Sequence, residues 1–148
     1  MALIRLNYAV EPRYGVLVDI GRKVMAGEPI EVSMGHFNTI WQGDANALTL
    51  TAFDHVSSPP FVLNVTGPET LRVRDVAEQF AALFGQAVTI TGVEAPDALL
   101  SNAGLANRLY GPPRIAADRL ISLVADWLQR GGTLLDKPTR FEVRDGAF

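Results

Sequence analysis

Cysteine is absent from the sequence, and so are several other features that mark common classes of protein. Without cysteine no disulfide framework can form, which fits a protein of the cytoplasm. No stretch of about 18 consecutive apolar residues is present, so the sequence predicts no membrane-spanning helix. The arginines are scattered and form no basic stripe among aromatic residues. We therefore expect a cytoplasmic protein with neither a membrane nor a nucleic acid as its partner.

The composition is that of one folded domain, which we assign to residues 1–148. Hydrophobic residues make up 48% of the chain and charged residues 20%, and both values are normal for globular domains. Short apolar stretches with strand character alternate along the chain with segments of helical periodicity. This alternation predicts the α/β class.

The helical segments carry the clearest local signals. Apolar residues recur at i, i+3, i+4 and i+7 over residues 73–84, and Gly85 is placed to end that helix. A second apolar stripe near the C-terminus includes Trp127, which we expect to lie in the core. Asp44 directly precedes another helical segment, and we predict that it caps this helix rather than acting in catalysis.

Two strands are predicted to be buried on both faces, because their apolar residues run almost without interruption. They cover residues 2–8 and 61–65. Residues 87–91 alternate like a further strand, and the tail from Asp136 to Phe148 is polar and irregular.

No residue pattern for a known reaction is complete. Dinucleotide binding needs a glycine-rich turn between a strand and a helix, and none of the 13 glycines has that spacing. The two histidines, His36 and His55, are isolated, so no metal site is expected. No G-x-S-x-G nucleophile motif is present either. We predict no catalytic residue in this chain.

An ordered series of short motifs resembles the extended short-chain dehydrogenase/reductases, the NAD-dependent epimerase/dehydratase family. The series covers nearly the whole chain, although no single motif is specific. Its members are Arg5-Leu6-Asn7-Tyr8, Gly27-Glu28-Pro29-Ile30-Glu31-Val32, Ile40-Trp41-Gln42-Gly43-Asp44-Ala45, Phe61-Val62-Leu63-Asn64-Val65-Thr66-Gly67-Pro68-Glu69 with the helical segment 73–85 after it, Tyr110-Gly111-Pro112 and Asp126-Trp127.

The resemblance implies the C-terminal portion of a Rossmann-type extended short-chain dehydrogenase. The strands at 2–8 and 61–65 would be edge strands of the cofactor sheet, and the rest would form a small mixed α/β substrate lobe. The family's glycine-rich loop and its Tyr-x-x-x-Lys pair have no counterpart here. We therefore expect a fragment, a split gene product or a truncated reading frame that is inactive alone.

The family implies NAD(P) as cofactor, but we expect none to bind this chain alone. Two kinds of macromolecular partner remain open. One is a separately encoded N-terminal cofactor-binding half, and the other is a second copy of the chain associating through an exposed strand. A binding module without chemistry is the alternative to an enzyme part.

The resemblance also implies a set of ligand-contacting residues. Asn7 matches a family asparagine near the nicotinamide and the substrate, so Asn7 and Tyr8 are assigned edge contacts with the cofactor as well as substrate contacts. The other predicted substrate-binding residues are Ala9, Arg13, His36, Asn38, Trp41 and Gln42.

The neighbourhood of residues 37–39 departs from the family pattern. Family members that bind nucleotide sugars usually carry an arginine there, which grips the diphosphate, and this sequence has none. The departure argues against a nucleotide-diphosphate sugar. Asn38, Trp41 and Gln42 offer two amides and an aromatic face, which suit a neutral polar ligand such as a sugar or a sugar acid.

Overall fold

The computed structural model describes residues 1–143, which contain eight short strands, five α-helices and one 3-10 helix (Ala52–His55). Residues 144–148, the last part of the predicted polar tail and of the predicted domain, lie outside the described residues. The strands are β1 (Ala2–Leu6), β2 (Ala9–Val10), β3 (Ile30–Glu31), β4 (His36–Phe37), β5 (Ile40–Trp41), β6 (Phe61–Val65), β7 (Leu71–Arg72) and β8 (Ile90–Thr91). The helices are α1 (Val16–Met25), α2 (Gln42–Thr51), α3 (Val73–Phe84), α4 (Gly104–Tyr110) and α5 (Ala117–Gln129).

The larger of two hydrophobic cores lies between α1, α3 and α5. Gly21 lies where these helices meet, because a Cβ atom there would lie 3.1 Å from the ring of Phe80 and 2.8 Å from the side chain of Leu128. The parallel pair β3–β8 and the antiparallel pair β4–β7 complete this part of the molecule. It corresponds to the small mixed α/β lobe expected from the sequence.

The second core lies between the parallel pair β1–β6, α2 and α4. The register of the pair runs from Ala2 opposite Phe61 to Leu6 opposite Val65. Leu63 and Val65 are fully buried, and Ile40 of β5 packs beside them. β2 follows β1 in the chain and leads towards the first core. It forms a second parallel pair with β5.

The prediction that the two long strands are buried on both faces was wrong. Leu3 is 40% exposed, Leu6 56% and Val62 38%. Parallel strands are covered on both faces when they belong to a larger sheet with helices on each side. Within residues 1–143, β1 and β6 form a sheet of two strands only, so part of their apolar surface stays open.

The helix predictions had mixed outcomes. The structure confirms α3 and its end at Gly85, which has the left-handed φ of 69° typical of a helix C-terminus. The predicted N-cap role of Asp44 was wrong, because α2 begins two residues earlier, at Gln42, and Asp44 lies inside its first turn. Trp127 is only half-buried, with its Nε1 donating a hydrogen bond to the carbonyl of Thr133 at 3.2 Å. Only Ile90–Thr91 of the predicted strand at 87–91 pairs with another strand.

Two kinds of feature are not found in the part of the chain that the structure describes. None of its helices combines the length and the apolar composition that crossing a bilayer requires. It also contains no cluster of three or more His, Cys, Asp or Glu side chains that could hold a metal ion.

Candidate functional site

A depression of about 260 Å³ lies at the carboxyl end of β1. In sheets of parallel strands ligands bind beyond this end, because the connections that leave the strands form a crevice there. The described residues that line the depression are uncharged, and they combine two phenol rings, an amide and a hydroxyl with apolar groups. They are Leu6, Tyr8, Ala9, Tyr14, Gly15, Val16, Gln42 and Thr139.

Tyr8 has an unusual backbone conformation at the centre of this site. Its φ is +40°, a value that costs a bulky residue about 1–3 kcal/mol. Two hydrogen bonds hold the conformation, because the Tyr8 carbonyl accepts from Thr39 Oγ1 at 2.7 Å and from the amide of Ile40 at 3.2 Å. Strained residues of this kind are concentrated at functional sites. The strain therefore makes Tyr8 a candidate functional residue.

Burial raises the pKa of the Tyr8 phenol above its ordinary value. The half-buried ring loses water that would stabilise the phenolate, so the neutral hydroxyl is favoured. A neutral phenol both donates and accepts a hydrogen bond, which suits a ligand hydroxyl.

Asn7 faces a neighbouring depression rather than the one around Tyr8. This second depression, of about 380 Å³, is lined by Arg5, Leu6, Asn7, Asn64, Leu99, Leu100, Ser101 and Asn102. The Nδ2 atom of Asn7 is buried and has no hydrogen-bond partner among residues 1–143. An unpaired buried donor is uncommon in folded proteins, and each one needs an explanation. The two depressions meet at Leu6, which lines both.

Asn38 has a structural role that the sequence did not reveal. It is only 3% exposed. Its Nδ2 donates to the carbonyl of Glu69 at 2.9 Å, and its Oδ1 accepts from the amide of Ser101 at 2.8 Å. Asn38 thereby joins the loops after β6 and before α4. It lines a third depression, beside Ser101, and lies outside the one around Tyr8.

Three other predicted residues lie outside these depressions. The Nε of Arg13 donates to both carboxylate oxygens of Glu11, at 2.9 and 3.0 Å, so its charge is already paired. His36 is in β4, opposite Arg72 of β7. Trp41 is half-buried and packs against the larger core. The structure therefore brings Tyr8, Ala9 and Gln42 together and separates the other predicted residues from them.

Sequence reasoning missed five residues that line the Tyr8 depression, which are Leu6, Tyr14, Gly15, Val16 and Thr139. Tyr14 and Gly15 directly precede α1. The strand–turn–helix order of the sequence therefore gave a weak indication that they lie beside the end of β1. There was no such indication for Thr139, because it lies in a tail with no periodicity and reaches the site through a fold-back of the chain.

The turn before α1 does not provide a cradle for a dinucleotide. A pyrophosphate needs open space beside a glycine at the start of a helix. At Gly15, the N-cap of α1, a Cβ atom would lie 2.7 Å from Cγ2 of Val10. That direction is therefore filled by the chain itself. Gly15 is also the single glycine between β2 and α1, whereas the turn that binds a dinucleotide uses several.

Solved structures of sugar-modifying enzymes share this fold. No family model matches the sequence, and no curated protein sequence matches it either. UDP-glucose 4-epimerase from Thermotoga maritima matches 88% of this chain with 46% of its own, at 13% identity and a TM-score of 0.65. UDP-glucuronic acid 4-epimerase from Bacillus cereus, in complex with NAD, matches 87% with 43% of its own, at 14% identity and a TM-score of 0.70.

GDP-mannoheptose C4 reductase from Campylobacter jejuni, with NADP bound, gives a third match. It covers 86% of this chain with 49% of its own, at 12% identity and a TM-score of 0.69. The chain has part of the extended short-chain dehydrogenase/reductase fold. It spans less than half the length of these three structures, which confirms at the level of fold the partial resemblance expected from the motif series.

Proposed function

We propose that this chain supplies the substrate-binding side of an NAD(P)-dependent epimerase or reductase of the extended short-chain type. The observation that carries the proposal is the uncharged depression around Tyr8, at the strand end where this fold places its ligands. The cofactor-binding side would come from polypeptide outside these 148 residues, because none of the glycines here has the spacing of a dinucleotide-binding turn.

The chemistry of the depression favours a neutral sugar unit as ligand. Its described lining has no charged side chain, whereas a diphosphate would call for an arginine or a lysine. Aromatic faces and amide or hydroxyl groups are the groups that bind a ring bearing several hydroxyls, and Tyr8, Tyr14, Gln42 and Thr139 provide them. The volume of about 260 Å³ is at the small end of ligand pockets, which suits a monosaccharide.

Binding measurements on the purified chain test this function. We expect saturation-transfer NMR to detect glucose in contact with the chain, and calorimetry with NAD⁺ to show no binding. Gln42→Ala should weaken the sugar signal because it removes an amide from the lining. Leu50→Ala is the control, at a 67% exposed position on the same helix. Tight binding of NAD⁺, or a sugar signal that Gln42→Ala leaves unchanged, would refute the proposal.

The open β1–β6 sheet favours a second candidate function, a self-associating module. Leu3, Leu6 and Val62 leave apolar surface on this sheet, and among the described residues no third strand pairs with it. Such an edge is a template for pairing with another chain. Analytical ultracentrifugation would then show a dimer that Leu3→Lys disrupts and that the control Val93→Lys, at an 85% exposed position, leaves intact. A monomer at all concentrations would exclude this candidate.

A further inference from the structure

The C-terminal segment over residues 133–143, which we call the strap, folds back across the molecule and reaches the Tyr8 depression. Phe141 anchors it, since this side chain is 2% exposed and its ring centre lies 6.4 Å from that of Phe37. Nearer its start, the amide of Leu135 donates to the carbonyl of Arg13 at 3.1 Å. The strap is therefore packed into the larger core.

Thr139 is the residue by which the strap meets the depression. The other described residues of the lining come from the first 42 positions of the chain, so Thr139 is the single contribution from the strap. The backbone turns sharply on both sides of it, with φ of +50° at Asp136 and +53° at Arg140. Non-glycine residues hold such angles only where surrounding contacts enforce them.

Asp19 of α1 provides the contact that fixes Thr139. One carboxylate oxygen, Oδ2, accepts hydrogen bonds from the Thr139 amide at 2.8 Å and from its Oγ1 at 2.7 Å. Hydrogen bonds to a charged acceptor are about twice as strong as neutral ones. The exposed ion pair of Arg22 with Asp136 adds little by comparison. Lys23 and Glu142 form a further ion pair beyond Thr139.

We propose that Thr139 forms the movable wall of the ligand depression and limits the size of what enters it, and that Asp19 is the residue that positions this wall. Phe141 keeps the strap attached when the tether is lost, so only the segment around Thr139 is released. The proposal rests on the depression being the ligand site put forward above. The test of the movable wall requires no ligand. A negative result there therefore leaves the sugar-binding measurement unaffected.

The absence of cysteine makes a selective accessibility experiment possible. Gln42→Cys places one thiol in the depression, and its alkylation is followed with a small reagent, iodoacetamide, and with a bulky one, fluorescein maleimide. Asp19→Ala should raise the rate of the bulky reagent by about fivefold or more and change the rate of the small reagent less than twofold. Leu50→Cys, on the exposed side of the same helix, provides the control thiol, which should react equally in both backgrounds.

Conservative variants separate positioning from general stability. Asp19→Asn keeps an oxygen acceptor of the same shape without the charge, so the bulky reagent's rate should lie between those of the parent and of Asp19→Ala. Thr139→Phe enlarges the wall and should lower the rate of the bulky reagent, which tests the same assignment if Asp19→Ala does not fold. The assignment is overturned if Asp19→Ala leaves the bulky reagent's rate unchanged, or raises the rate of the control thiol equally.

Discussion

Replacing Asn38 by alanine separates a structural residue from a ligand-binding one. The substitution removes two hydrogen bonds, one to the carbonyl of Glu69 and one from the amide of Ser101. Each is worth about 1 kcal/mol net, and the half-buried Ser101 amide left without its partner adds about 1 kcal/mol. We therefore expect Asn38→Ala to lower the free energy of unfolding by about 3 kcal/mol, in the absence of any ligand.

Urea unfolding followed by tryptophan fluorescence measures this loss. For a slope of about 2 kcal/mol per molar urea, the midpoint should fall by about 1.5 M. Asn46→Ala provides the matched control because Asn46 is exposed and the hydrogen bond that its side chain accepts from Gln42 is long, at 3.5 Å. A midpoint for Asn38→Ala within about 0.3 M of this control would refute the structural role and return Asn38 to the set of ligand residues.

Three further predictions test other features of the site and its surroundings. Burial raises the folded-state pKa of Tyr8, so Tyr8→Phe should remove a step above about pH 10 from a tyrosinate absorbance titration, and an unchanged titration there would contradict this. Stability should also fall as the pH rises above about 10, and less so in this variant. Gly15→Ala should lower the free energy of unfolding in urea by at least about 2 kcal/mol, because the φ of Gly15 is +126° and the space for a Cβ atom is filled. The control Gly27→Ala, where that space is open, should lower it by about 1 kcal/mol, and equal losses would contradict the prediction. The hydrogen bond from Arg72 lowers the pKa of Glu94. Glu94→Gln should therefore be less stable than the parent above about pH 4.5, and the difference in stability should vanish as the pH falls through the folded-state pKa. A difference in stability that does not depend on pH would exclude this role of the ion pair.

The parts of the fold that depend on local sequence could be predicted. α3 and its end at Gly85 follow from apolar spacing and from one glycine with a left-handed backbone, both of which act within a few residues. Tyr8, Ala9 and Gln42 were predicted to contact the ligand from the family resemblance, together with five residues that the structure places elsewhere. Their grouping agrees with the structure, and their contact with a ligand stays a prediction.

The parts that depend on distant contacts could not be predicted. Asp44 resembles a helix cap in sequence, but its carboxylate accepts the amide of Ile115, 71 positions away, at 3.0 Å. Asn38 resembles a ligand residue until both ends of its amide are seen to bind other loops. Thr139 joins the depression through Asp19, 120 positions earlier. Periodicity and capping rules describe near neighbours and contain no information about such pairs.

The bond between Asp19 and Thr139 also has a consequence for how the chain folds. It closes a loop of 120 residues, and α1 needs α3 and α5 to cover its apolar side. Contacts that span so much chain form slowly, because loop closure must be achieved before they give any stabilisation. During synthesis, α1 leaves the ribosome long before its partners do. Ile20 and Val24 then stay uncovered until α5, which begins at Ala117, has been made, so the larger core is completed only at that point.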